Sequence, residues 1–193
     1  MLNPNNKMIL FVGPSGVGKT TLRLRLQADV DLSPGFEYPV SVTTRKRRPE
    51  EVRGKEYFFW SQGRFKKSIL NGLFVEYSEV HGNSYGTLWS EIQRIWNSGK
   101  VPTYDSDVYG LRALGQVIPG GILSVFVFPP SLRELELRLR ARKTESEKDL
   151  GVRLQNAAGE MKEASMCDFL LVNDDLDVAY ALLKKRVQKF VAS

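Results

Sequence analysis

The 193-residue chain, 42% hydrophobic and 26% charged, is long enough for one domain with an inserted lobe and has the composition of a globular protein. No apolar run reaches the ~18–20 residues of a membrane span, the opening MLNPNNK lacks a leader pattern, and the lone Cys167 rules out an internal disulfide; no membrane partner and a reducing, cytoplasmic setting are expected. A net charge of +6 leaves nucleic acid, anionic lipid or a polyanionic small ligand as partners, while a single histidine, His81, argues against a histidine-rich metal site or a Ser-His-Asp triad.

In chain order, Met8 to Val12 is an apolar run suited to a buried parallel strand, and Ile122 to Phe128 and Phe169 to Val172 repeat that pattern. Leu22-Arg23-Leu24-Arg25-Leu26 alternates like a strand but follows a glycine loop that normally feeds a helix. Residues 40–87 break the rhythm with β-prone aromatic pieces, Tyr57 to Trp60 and Phe74 to Tyr77, and little helix; they read as an inserted antiparallel lobe, with Glu79 to Asn83 as a turn. Leu88, Ile92, Ile95 and Trp96 form one helical stripe that Gly99 stops. A further helix follows Pro129-Pro130, with Leu132, Leu135 and Leu139 inward; residues 138–153 read as a polar, mobile segment, and a last helix places Ala179, Leu182, Leu183 and Val187 inward. Strands alternating with helices predict an α/β fold with a central, mainly parallel sheet.

GPSGVGKT, residues 13–20, carries chemistry. Gly13, Gly18, Lys19 and Thr20 fit G-x-x-x-x-G-K-[ST]: glycines let backbone N–H groups turn around a phosphate, Lys19 reaches its outer oxygens, and Thr20 offers a hydroxyl to Mg²⁺. The helix after the loop presents its positive end to the same anion. This loop alone does not separate a GTPase, an ATPase and a kinase. Arg45-Lys46-Arg47-Arg48 is a run of mutually repelling cations, which a second phosphate would explain, since arginine grips phosphate oxygens two at a time.

GPSGVGKT, VSVTTRKRRPEEVRGKEYFF, LFVEYSEVHGNSYGT, the Asp105 and Asp107 pair, FPPSLRELELRLRARKTESE and VNDD together resemble the guanylate kinases, in order and spacing from about Met8 to Tyr180. The resemblance implies a P-loop three-layer α/β fold with a GMP-binding lobe (40–87), a short mobile lid (138–153) and a core made of the rest. It implies transfer of phosphate from ATP to GMP, and to dGMP, with Mg²⁺. Gly13, Pro14, Ser15, Gly16, Val17, Gly18, Lys19, Thr20 and Thr21 would bind ATP, with lid residues Arg138 and Arg142 and with Asn173. Arg45 and Arg48 would hold the GMP phosphate with Tyr57 and Tyr85. Ser41, Glu76, Gly86, Thr87, Asp105 and Asp107 would complete the GMP site, carboxylates facing the donor edge of guanine. Lys19, Arg45, Arg142 and Arg153 would neutralise the moving phosphoryl group, and Mg²⁺ would sit on Thr20 and, through water, on Asp105. Arg133 and Arg140 read as a charged helix face with Glu134 and Glu136, and Asn173 reads equally as an N-cap or turn residue before the last helix.

Pro102, Ser106 and Tyr109 depart from the family pattern in the stretch from Val101 to Gly110, so lower local stability or altered nucleotide affinity is expected there, and Lys143, standing where the lid usually has glycine, is expected to stiffen that hinge. Competing readings are a non-catalytic binding module of the same fold, a kinase of that fold with another phosphorylated acceptor such as a sugar phosphate, and a nucleic-acid binder. The intact loop opposes the first; Ser41, Glu76 and Asp107 oppose the second; phosphate sites account for the arginines better than nucleic acid does. A monomer or homodimer is expected.

Overall fold

The computed structural model describes residues 6–80, 82–141 and 147–193. His81, Arg142 and Lys143 lie outside the described residues. The chain forms two compact units, Met1–Phe36 with Thr103–Ser193, and Glu37–Pro102.

The central strand of the first unit is β1 (Met8–Val12), in which all five residues are buried. Around it the sheet runs β2 (Phe36–Glu37), β7 (Val101–Asp105), β1, β8 (Ile122–Phe128), β9 (Phe169–Val172). The β1–β7, β1–β8 and β8–β9 pairs are parallel, as the continuous apolar runs predict. Pro102 is tolerated because the register of β7 with β1 begins one residue later, at Thr103. Ser124, the one polar residue inside β8, is 1% exposed; it donates to Asp168 at 2.5 Å and accepts from the Asp168 N–H at 3.0 Å, tying β8 to the chain entering β9.

Five helices belong to this unit: α1 (Lys19–Ala28), α4 (Val108–Val117), α5 (Leu132–Ala141), α6 (Glu147–Lys162) and α7 (Leu176–Ala192). The alternating Leu22–Leu26 stretch is helical as predicted, with Leu22 and Leu26 buried and Leu24 exposed. Residues 147–153, expected within a mobile polar segment, are helical. Two inward assignments fail. Leu132 is 46% exposed at the open first turn of α5, and Leu182 is 52% exposed on α7. Tyr180 takes the inward place on α7: its hydroxyl donates to Asp29 at 2.5 Å, and Lys184 pairs with the same carboxylate at 2.8 Å, which fixes the rotation of the helix. Nor is Asn173 the N-cap of α7. Asp175 is, accepting from the N–H groups of Asp177 and Val178.

In the second unit, β3 (Val42–Thr43), β4 (Phe58–Phe59), β5 (Phe74–Val80) and β6 (Asn83–Leu88) make a sheet in the order β4-β3-β6-β5. β5–β6 and β3–β6 are antiparallel, but β3–β4 is parallel. The lobe holds one helix that the sequence did not predict, α2 (Gln62–Leu70), capped by Ser61, whereas α3 (Trp89–Asn97), after the lobe, is the helix expected from the stripe of Leu88, Ile92, Ile95 and Trp96. Phe65 of α2 packs with Val42, Phe74 and Leu88 in the lobe core, each such side chain contributing about 1.5–3 kcal/mol when fully buried. No helix of the described residues is long and apolar enough to cross a membrane.

Candidate active site

The loop between β1 and α1 is built for an anion. Gly13 and Gly18 have φ of 126° and 96°, a region side chains rarely enter. A Cβ on Gly13 would come within 2.6 Å of the Val127 carbonyl oxygen, so backbone approach also demands glycine there. Gly16 lies against the side chains of Leu135 and Leu139. Lys19 bends back over the loop, donating to the carbonyls of Gly13 and Pro14, the latter at 2.8 Å. Thr20 and Thr21 are exposed in the first turn of α1, where helix geometry gives the N–H groups no partner within the helix.

Two residues distant in sequence reach this loop, and a third holds one of them. Arg153 of α6 donates to Ser15 Oγ at 3.0 Å. Asn173, 6% exposed, donates its amide N–H to the Val17 carbonyl at 2.8 Å, which braces the loop from behind. Arg138 donates to the Asn173 carbonyl at 2.9 Å and pairs with Glu134. Arg140 pairs with Glu136 on the helix face, as expected.

Asp105 ends β7 and Asp107 caps α4, accepting from the Gly110 N–H at 2.7 Å. Behind Asp105 lies a feature that local pattern did not reveal. Arg23, 9% exposed on α1, faces Asp105 Oδ1 at 3.6 Å and donates to Gln27, which donates to Thr103 Oγ1 at 3.1 Å. The polarity of β7 is thus matched by polar partners on α1. Burial pushes the Asp105 carboxyl above the usual carboxylate range, and the cations of Arg23 and Lys19 partly offset this. A cavity of about 400 Å³ opens beside Asp107, lined by Val108, Gln155, Asn156, Gly159, Glu160 and Glu163. Burial also raises the Glu160 carboxyl, with Lys19 opposing it.

Two constellations form within the second unit. In the first, Ser41 Oγ lies 3.1 Å from Thr87 Oγ1, and the β5–β6 register sets Thr87 opposite Glu76. Gly86 is required there, because a Cβ would meet Phe74 and, at 2.9 Å, the Glu76 carbonyl. In the second, the Arg45 guanidinium lies 5.8 Å from the Tyr57 ring centre and hydrogen-bonds Tyr85; the two tyrosine rings meet edge-on at 5.9 Å. Arg48 follows on the same loop, exposed. The expected lobe residues therefore group as hydroxyls with a carboxylate, and as arginines with phenols. Asp105 and Asp107 belong to the other unit. Sequence reasoning missed Glu51, which is 8% exposed and pairs with Arg45 at 2.5 Å. Among the described residues no group of three or more His, Cys, Asp or Glu is arranged to hold a metal ion.

The chain is similar to known proteins along most of its length. A family model described as guanylate kinase matches residues 5–190. The chain is 44% identical over 177 residues to a guanylate kinase of Nitratidesulfovibrio vulgaris, covering 92% of this chain and 84% of that one. It is 38% identical over 182 residues to a guanylate kinase of Rhizobium meliloti, covering 94% and 81%. The crystal structure of guanylate kinase from Anaplasma phagocytophilum superimposes with a TM-score of 0.67 at 25% identity, covering 97% of this chain and 87% of that one. A complete phosphate loop on a parallel sheet, a second unit bearing its own arginine cluster, and a match along almost the whole chain lead to one assignment: the chain belongs to the guanylate kinase family.

Proposed function

We propose that this chain transfers the terminal phosphoryl group of ATP to GMP, giving ADP and GDP, in the cytoplasm. The observation that carries the reading is that the residues suited to hold an anion fall into two groups, the Gly13–Thr20 loop with Lys19 and Arg153 and Arg45, Arg48, Tyr57 and Tyr85. A hydrolase needs one such set; a transferase with a phosphorylated acceptor needs two. Core, lobe (40–87) and lid (138–153) are the working divisions of this reading.

Residues 13–21 take the ATP phosphates, with Arg138, Arg142 and Asn173 toward the rest of that nucleotide. Arg45 and Arg48 take the GMP phosphate, with the Tyr57 and Tyr85 hydroxyls as further donors. Glu76 and Asp107 select guanine. Ionised carboxylates only accept hydrogen bonds, and guanine offers N1–H and an N2 amino group where adenine has no donor. Ser41, Gly86, Thr87 and Asp105 are the remaining residues proposed to bind GMP. A ligand that buries one of these polar groups without pairing it loses about 1–3 kcal/mol per group.

The chemistry asks for positioning and charge neutralisation rather than a general base, since the GMP phosphate is already an anionic nucleophile. Lys19, Arg45, Arg142 and Arg153 stabilise charge on the phosphoryl in flight. The donor set also suits Mg²⁺: one exposed hydroxyl, Thr20, and one carboxylate, Asp105, whose Oδ1 makes no hydrogen bond. That is a sparse set for an ion that keeps several waters and takes its other ligands from phosphates. Bound there, Mg²⁺ would screen the β- and γ-oxygens.

An assay of ADP release with GMP, dGMP, AMP and no acceptor tests the reading. Release is expected with GMP and dGMP. Equal release with AMP or without acceptor would overturn it.

A further inference from the structure

Glu50 and Glu51 are adjacent carboxylates with opposite fates. Glu50 is exposed; Glu51 is 8% exposed and engaged on every side. Its Oε1 accepts from Arg45 Nη2 at 2.5 Å, and its Oε2 accepts from the Arg48 backbone N–H at 2.8 Å. Its own N–H donates to the Arg48 carbonyl at 3.2 Å, and its carbonyl accepts from the Arg47 guanidinium. One residue thereby ties together three members of a cationic run that would otherwise fly apart. The same grip orients Arg45, whose guanidinium is also held by the Lys46 carbonyl at 2.7 Å and lies against the Tyr57 and Phe59 rings.

Both oxygens of Glu51 already accept hydrogen bonds from the loop itself, so any action on substrate runs through the arginines. We propose that Glu51 is the positioning residue of the GMP-phosphate grip, presetting the Arg45 guanidinium and the Arg48 main chain for the incoming anion. This rests on the reading of Arg45 and Arg48 as phosphate ligands. The carboxylate has two opposed effects: it repels a phosphate by charge and prepares the arginines by geometry. Charge-assisted hydrogen bonds of 2.5 and 2.8 Å on a buried carboxylate favour geometry, since they fix side chains whose ordering would otherwise be charged against binding.

The test compares wild type, Glu51→Gln and Glu51→Asp by calorimetry with GMP and with guanosine, and by KM for GMP and for ATP. Positioning predicts that Glu51→Gln weakens GMP by about tenfold or more while guanosine affinity and the KM for ATP change less than about twofold. Glu51→Asp, keeping the charge, recovers part of the loss. Unchanged or tighter GMP binding by Glu51→Gln overturns the proposal, as does parallel weakening of guanosine, the mark of a merely structural role. If Glu51→Gln does not fold, the Glu51→Asp variant decides by the same ratio of GMP to guanosine affinity. Wild-type protein that fails to bind GMP would instead sink the parent reading.

Discussion

Replacing Asn173 with leucine, close to it in size, removes one hydrogen bond from behind the phosphate loop. The Asn173 amide donates to the Val17 carbonyl at 2.8 Å, in a residue only 6% exposed, while Val17 itself is fully buried. The variant leaves that carbonyl without its donor in a site closed to water, at about 1–3 kcal/mol. For a chain of this size each kcal/mol lowers Tm by about 2–4 °C, so a fall of roughly 2–12 °C is expected. Thermal unfolding followed by circular dichroism measures it. Arg138→Ala is the control. It removes a bond to the Asn173 backbone carbonyl from a side chain 26% exposed, whose partner regains water, and should cost less. A loosened loop also binds ATP less well, so the KM for ATP should rise in Asn173→Leu. A Tm within about 1 °C of wild type would refute the bracing role.

Lys19→Ala and Arg45→Ala should each lower turnover by roughly 10³-fold or more while leaving far-UV circular dichroism unchanged; near-normal turnover in either would remove that residue from the phosphoryl path. Stability should also show a defined acid limb. Hydrogen bonds from Lys184 and Tyr180 hold the Asp29 carboxyl below its usual range, so their contribution is complete above the unfolded value near ~3.9 and is lost as pH falls through the lower folded value. Asp29→Asn should be less stable than wild type at neutral pH, and the difference should shrink below about pH 4; a gap independent of pH would contradict this.

The strands and the phosphate loop were legible because each is a local pattern: apolar runs of four to seven residues, and glycines at fixed offsets before a lysine. What escaped depends on partners far along the chain. Arg23 reads as one tooth of a Leu-Arg alternation on a solvated helix face. Only the fold brings Asp105 toward it, with Gln27 linking it to Thr103, and this turns the odd polarity of β7 into a matched set. Glu50 and Glu51 are indistinguishable by type, and three-dimensional closure of the arginine loop separates them. Helix α2 offered just Phe65 and Ile69 as an apolar stripe, too little periodicity to compete with the aromatic strand signals on either side. In the last helix, Leu182 looked more apolar than Tyr180, yet a tyrosine with a buried hydrogen-bond partner wins the inward position.

The most direct test follows the phosphate itself. Purified protein with Mg²⁺, GMP and ATP labelled at the γ-position should form ADP and GDP in equal amounts, with the label carried on GDP. Label appearing as inorganic phosphate while GMP persists would mean that the chain hydrolyses ATP rather than transferring its phosphoryl group.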